Sequence, residues 1–314
     1  MERTEITPWF YYDIYKTEKR TIHKPSHALK KVQRFIMRKF LKPHFKQMTT
    51  NEAASVHCGK KWIMKLDIKD FFNSITEKQI KDVIKKYVSY DNYDSSITYE
   101  HTWEVFSEEQ IFSVCTLKGK LPTGASTSPY IANLVLRDFD IEIENFCLRY
   151  GVRYTRYMDD LFFSTNREQY FLSLVELEVL RLFKELGFEI NVPKIKYISS
   201  NKCQQILGLG VNNKKPVLTK DTKREYRAYF YNLLAPIQFN NTEEYKKHEK
   251  ELFGHLAYIM SVDKKFYYKM VAYIFNIIKR LNIWRKPCLK NLIKKIGNNF
   301  ETEIEMFRFC SYLK

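Results

Sequence analysis

Residues 153–164 constrain this chain more than any other stretch, because two short apolar segments, Arg153-Tyr154-Thr155 and Leu161-Phe162-Phe163-Ser164, flank the acidic pair Asp159-Asp160. Aromatic and β-branched residues on both sides of a short polar break read as an antiparallel hairpin with the carboxylates at its tip. Adjacent carboxylates at the edge of an apolar core repel each other and lose hydration, so the tip costs stability unless a cation compensates it. A metal ion is the natural compensator, and a further ligand must come from another strand. The stretch Trp62-Ile63-Met64-Lys65-Leu66-Asp67-Ile68 has the pattern of a buried strand that delivers Asp67 near its C-terminal end, with the backbone carbonyl of Ile68 as an extra oxygen ligand. Taken singly, the same residues also fit a plain hairpin turn and a helix-capping aspartate.

The chain has 314 residues, 45% hydrophobic and 16% aromatic, enough for two or three subdomains. Its formal net charge of +17 suits a polyanionic partner, since each phosphate neutralised releases condensed counterions. Charge alone suits ribosomal or membrane-surface proteins equally well. The six cysteines (Cys58, Cys115, Cys147, Cys203, Cys288 and Cys310) form no CxxC pair. There is neither a secretory signal nor an apolar run near the roughly 20 residues of a membrane span. The expectation is a soluble, cytoplasmic protein with reduced thiols.

Periodicity predicts a strand at residues 10–14, an amphipathic helix with a basic face over 27–45 that ends near Pro43, and a helix over 76–87. It predicts helical pattern at 108–117, one long helix over 129–150, and a helix over 169–186 closed by Gly187. Residues 89–102 read as a loop. Beyond Gly210, Lys, Tyr and helical spacing dominate, which places a boundary at 212–216 with a mainly helical domain after it.

Three blocks stand in a fixed order: Leu66-Asp67-Ile68-Lys69-Asp70-Phe71-Phe72, then Leu121-Pro122-Thr123-Gly124-Ala125-Ser126-Thr127-Ser128-Pro129-Tyr130-Ile131-Ala132-Asn133-Leu134, then Tyr154-Thr155-Arg156-Tyr157-Met158-Asp159-Asp160. They closely resemble the successive motifs of bacterial reverse transcriptases of the retron type. Residues 19–33, the stretch Leu186-Gly187-Phe188-Glu189-Ile190-Asn191 with Lys194, Gln205-Ile206-Leu207-Gly208-Leu209, and residues 252–269 fit the same order. The resemblance covers most of the chain, and agreement of order and spacing over that length is far more specific than any single motif.

The resemblance implies an α+β, right-hand polymerase fold: fingers and the start of the palm in 1–66, a palm with an antiparallel sheet and helices in 67–214, carrying a fingers insertion at about 82–120, and a helical thumb in 215–314. It implies RNA-directed DNA polymerisation by two-metal-ion nucleotidyl transfer, with two Mg²⁺ ions, or Mn²⁺ in their place, on Asp67, Ile68, Asp159 and Asp160. Lys194 would approach the leaving pyrophosphate as a general acid or electrostatic partner, or lie on the surface after Pro193. Phe72, five residues after Asp67, would stack under the incoming sugar and clash with a 2′-hydroxyl, while Phe71, facing the opposite way, belongs to the core. Arg20 and Lys30 would bind the triphosphate, although a solvated basic face explains Lys30 equally well. Gly124 and the small residues after it would let the backbone approach the nascent base pair. Tyr157 and Met158 would pack against the primer end and template.

Three positions depart from the family pattern. Thr123 stands where relatives carry Gln, an amide that lines the nucleotide pocket. Ala53-Ala54-Ser55-Val56-His57 keeps the Ala and His of an Asn-Ala-x-x-His element but not its Asn, and Ile206-Leu207-Gly208 replaces Val-Thr-Gly. These favour a retron-like or anti-phage defence enzyme in the broad sense. The partners implied are a dedicated noncoding RNA template, the RNA/DNA duplex, dNTPs, and an effector protein or second copy, with no membrane. The basic segment 279–295 would be a thumb surface contacting the template-primer duplex or a dedicated structured RNA, where a solvated helix face is the plainer alternative. An RNA-dependent RNA polymerase usually carries Gly-Asp-Asp and a smaller sugar-selecting residue, so Met158 and Phe72 speak against it. A non-catalytic scaffold is opposed by the intact aspartates. A template-independent or protein-primed DNA polymerase would use the same metal chemistry.

Overall fold

The computed structural model describes residues 2–5, 10–17, 21–88 and 107–297. The chain forms two compact units, Met1–Lys202 and Cys203–Lys314. Arg20 and part of the expected fingers insertion lie outside the described residues.

The first unit opens with an antiparallel sheet of β1 (Glu2–Glu5), β2 (Tyr11–Lys16) and β3 (Thr21–Pro25). Helix α1 (His27–Ile36) follows, capped by the Ser26 hydroxyl, and runs on through a wider π-type turn to a 3₁₀ turn at Lys42–His44. Next come α2 (Thr50–Val56), β4 (Trp62–Asp67), α3 (Phe71–Ser74), α4 (Glu77–Val88) and α5 (Glu108–Cys115). They are followed by α6 (Ser128–Val135), α7 (Arg137–Arg149), β5 (Arg153–Tyr157), β6 (Asp160–Thr165), α8 (Tyr170–Leu186) and β7 (Lys196–Ser199).

Strands β5, β6, β4 and β7 make one antiparallel sheet in that order. Side chains alternate across it. One face, with Met64, Leu66, Leu161 and Phe163, is buried in a core that includes Phe139 and Phe183, whose ring centroids are 4.5 Å apart. On the opposite face α2 covers the end remote from the carboxylates, leaving the other end to Asp67 and Asp160.

Two local expectations change. The long helix is two helices broken at Leu136, whose ψ of 7° leaves the helical range, and Asp140 N–H bonding to the Leu136 carbonyl at 2.8 Å starts the second. No Gly or Pro marks that break; Arg156 bonds to both helices across it, to Asn133 of α6 and Asp140 of α7. Phe71 and Phe72 do not alternate along a strand. Asp70 turns the chain with φ +46° and both rings sit in the short helix α3, Phe71 buried and Phe72 half-buried, with centroids 5.8 Å apart.

The second unit holds a small antiparallel sheet of β8 (Gln205–Ile206), β9 (Leu209–Gly210) and β10 (Val217–Leu218), then α9 (Lys220–Leu234), α10 (Glu243–Val262), α11 (Lys264–Arg280) and α12 (Lys290–Gly297). Helix α11 buries Phe266, Met270, Ile274, Ile277 and Ile278, the three- and four-residue spacing of a core-facing stripe. Asp263 caps it through Phe266 N–H at 2.9 Å and pairs with Lys223 of α9 at 2.7 Å. Among the described residues no helix is long and apolar enough to cross a membrane.

Candidate active site

Asp67 and Asp160 are directly opposed partners of β4 and β6, and Tyr157 of β5 opposes Asp160. Opposed residues of an antiparallel pair share a face, so these three side chains form one row across the sheet end. Asp159 lies in the two-residue turn Met158-Asp159 between β5 and β6. Its carbonyl accepts the Ile68 N–H at 3.0 Å, which sews the turn to the end of β4. Met158 has φ +59°, a backbone conformation that Gly ordinarily supplies in a two-residue hairpin turn. Holding Met there costs about 1–2 kcal/mol. Its thioether accepts from the amides of Gln47 at 3.8 Å and Asn133 at 3.6 Å, so the side chain is held as well as the backbone.

Loss of hydration raises the protonation range of both hairpin carboxyls; repulsion from Asp67 adds to it at Asp159, and repulsion from Asp159 and then Asp67 brings Asp160 to about 6. Asp67 is held differently. Lys194 reaches both its oxygens, at 3.2 and 3.0 Å, and Asn191 donates to Oδ2 at 3.2 Å. The Asn191 backbone N–H donates to the Asp67 carbonyl at 2.8 Å. The carboxylate raises the Lys194 ammonium above its ordinary range.

This donor set fits a hard divalent cation: oxygens only, adjacent, partly dehydrated and short of positive charge. The carboxylates do not close into a cage by themselves, for no group of three His, Cys, Asp or Glu side chains gathers at metal-holding distances among the described residues. An ion such as Mg²⁺ characteristically completes its shell with water and substrate phosphates.

The support beneath the hairpin is a buried network that sequence reading missed. Arg156, with 3% of its side chain exposed, pairs with Asp140, bonds Asn133 Oδ1 at 2.6 Å and donates to the Met158 carbonyl at 3.0 Å. Tyr154 donates to Asp140 at 2.7 Å. The one available signal was a charged residue on the core-facing side of an alternating strand.

His57 is fully buried at the end of α2, its ring nitrogens 2.7 Å from the Ser164 hydroxyl and 2.8 Å from that of Thr155. It clamps the two hairpin strands from the face opposite the core. Burial, helped by the charge of Lys60, lowers its pKa to about 3, so the folded ring stays neutral while the unfolded one titrates near 6.5. The native state therefore binds fewer protons, and the stability due to the neutral ring is complete above pH 6.5 and falls on acidification toward pH 3. At pH 5 the loss comes to about 2 kcal/mol. Urea unfolding of the parent and of His57→Asn from pH 7 to 5 checks this: the variant should lack that part of the slope.

Of the remaining sequence-derived residues, Ile68 stays at the carboxylates, while Thr123, Gly124 and Lys30 are held by or lie on other elements. Thr123 donates its hydroxyl to the Thr21 carbonyl at 2.8 Å and lies 3.1 Å from His23 Nδ1, so it staples its loop to β3. Since that hydroxyl's proton is used on Thr21, His23 Nδ1 must be the donor in the second bond. Gly124 has φ +116°, and a Cβ there would lie 2.4 Å from the His23 carbonyl oxygen; the close approach is made by the chain's own β3. Lys30 is exposed on the first turn of α1. Ile68 is buried, with its N–H on the turn.

This architecture, an antiparallel palm sheet with paired aspartates at a hairpin and a third on the adjacent strand, is that of a template-directed nucleic-acid polymerase. The profile of the reverse transcriptase (RNA-dependent DNA polymerase) family matches residues 13–212, and the chain belongs to that family and has its RNA-directed DNA polymerase activity. The retron Ec86 reverse transcriptase of Escherichia coli is 26% identical over 288 residues, covering 86% of this chain and 82% of that protein. The Ec83 enzyme of the same species is 32% identical over 238 residues, 69% of this chain and 74% of that one. The retron Mx65 enzyme of Myxococcus xanthus is 31% identical over 211 residues, 66% and 48%. These likenesses make the enzyme retron-type. Apo telomerase from Candida tropicalis aligns over 96% of this chain and 67% of that chain, at a TM-score of 0.48 and 14% identity. Reverse transcriptases generally use divalent metal ions and an RNA template.

Proposed function

We propose that the enzyme copies a dedicated noncoding RNA into DNA in a retron or related anti-phage defence system, using two Mg²⁺ ions held by Asp67, Asp159, Asp160 and the Ile68 carbonyl. The observation that carries the two-metal chemistry is the convergence of carboxylates from β4 and the β5–β6 hairpin on one sheet end, beside the Lys194 ammonium, and the likeness to retron enzymes supports the dedicated template. Bound there, the ions would activate a primer 3′-hydroxyl and neutralise the triphosphate of a dNTP; Mn²⁺ suits the same oxygens. Lys194, released from Asp67 as the ions take up the carboxylate, would meet the charge developing on pyrophosphate. Thr123 and Gly124 hold the loop that faces the substrate, Tyr157 and Met158 the primer end, and Arg20 and Lys30 the triphosphate. A protein partner, either an effector or a second copy, belongs to the same reading. So does cytoplasmic residence, in keeping with the free thiols of Cys58, Cys115, Cys147, Cys203 and Cys288.

Sequencing the nucleic acid that copurifies with the protein tests the dedicated template. A single recurrent RNA covalently or non-covalently joined to its DNA copy is expected, and a random cellular population would remove the idea.

Phe72 is the proposed sugar gate. Its half-buried ring is backed by the buried Phe71, so it yields little to a 2′-hydroxyl. Phe72→Ala should lower discrimination against ribonucleotides by about tenfold or more, read as the ratio of kcat/KM for a dNTP and its rNTP. A ratio equal to the parent's would assign the gate to another residue.

A further inference from the structure

A concave site in the second unit is not used by the polymerase chemistry. The loop after α11 and the start of α12 form an open hollow of about 410 Å³ lined by Trp284, Arg285, Lys286, Pro287, Lys290, Ile293 and Lys294, within the roughly 300–1,000 Å³ typical of ligand sites. Its chemistry is one-sided: four cations, the indole of Trp284, the apolar Pro287 and Ile293, and no acidic group. The indole is backed by Phe275, at 6.2 Å between centroids, itself buried on α11. Lys286 donates to the Asn240 side-chain oxygen, which steadies one of the cations.

We infer that this hollow receives one unpaired nucleotide of an RNA strand, its base against Trp284 and its flanking phosphates on Arg285, Lys286, Lys290 and Lys294. The inference rests on the RNA-partner reading above and narrows it. Surface lysines alone would bind any polyanion, whereas an indole set in a hollow rewards only a base free to leave its stack. Paired bases in a duplex are already stacked on each other, and their phosphates lie on a convex ridge that meets the rim and not the floor.

The test uses the full chain and two labelled RNAs of equal length and charge: a hairpin with an unpaired apical loop, and a blunt duplex. Trp284→Leu should weaken the loop RNA about tenfold, lower the duplex affinity less than twofold, and keep the parent's salt slope, because the cations remain. Trp284→Phe, which retains a ring, should recover most of the loop affinity and guards against a folding defect. Equal losses for the two RNAs, or no loss for the loop RNA, would overturn the proposal. So would a mononucleotide triphosphate that displaces the loop RNA from the parent at concentrations near that RNA's own, since the site would then belong to a free nucleotide. DNA synthesis by the parent on a generic primed template reads the polymerase assignment separately, so failure of one does not carry the other.

Discussion

Asp160→Asn should yield a folded chain that incorporates deoxynucleotides about a thousandfold more slowly than the parent, or not at all. The amide keeps the shape of the carboxylate but not the charge, and losing a metal-borne stabilisation of about 4 kcal/mol in the transition state corresponds to that factor. Stability should move the other way. Asp160 lies beside Asp159 and opposite Asp67, and the strain of placing three carboxylates together is relieved when one becomes neutral, so the variant should melt no lower than the parent. Steady-state incorporation on a primed RNA template, paired with thermal unfolding, checks both halves. The same loss is expected for Asp67→Asn and Asp159→Asn, and near-normal synthesis by Asp159→Asn would refute the assignment.

Arg156→Met should destabilise the first unit by about 3 kcal/mol, for a different reason. Its guanidinium is nearly inaccessible and serves Asp140, Asn133 and the Met158 carbonyl at once. Removing one member of a buried pair strands the other, at a cost of roughly 3–5 kcal/mol. The lower end applies here because Asp140 is 24% exposed and still has the Tyr154 hydroxyl. Removing both charges in Arg156→Met with Asp140→Asn, whose Oδ1 can still accept from the Tyr154 hydroxyl, should return part of the stability. The double variant would still lack the bond to the Met158 carbonyl, so DNA synthesis should stay well below the parent's. Denaturant unfolding and synthesis measured on the three proteins separate the two effects; full recovery of synthesis in the double variant would show that the turn does not depend on Arg156.

The reactive carboxylates were legible early because strand chemistry is local. Apolar alternation on either side of Asp159-Asp160 already implied a hairpin, and a buried run ending at Asp67 implied a neighbouring strand. The structure makes Asp67 and Asp160 register partners, as a hairpin beside that strand allows. Gly187 at the end of α8 was equally readable, since its φ of +77° is a conformation other residues adopt reluctantly. The expected helix over 129–150 failed at Leu136, where no residue disfavours helix and the break accompanies Arg156 lodged against both segments.

What the sequence by itself determined, then, is the set of elements with strong period and the motif residues they carry, including the aspartates and the basic, aromatic loop before α12. Tertiary structure alone decided what surrounds them. Asn191 reaches Asp67 across 124 positions and His57 joins Ser164 across 107. Thr123 turns to Thr21 across 102. Backbone preference acts over a few residues and leaves its mark in composition and spacing, whereas a buried hydrogen bond between distant segments depends on how whole elements pack, and any Asn, His or Thr reads the same until that packing is known.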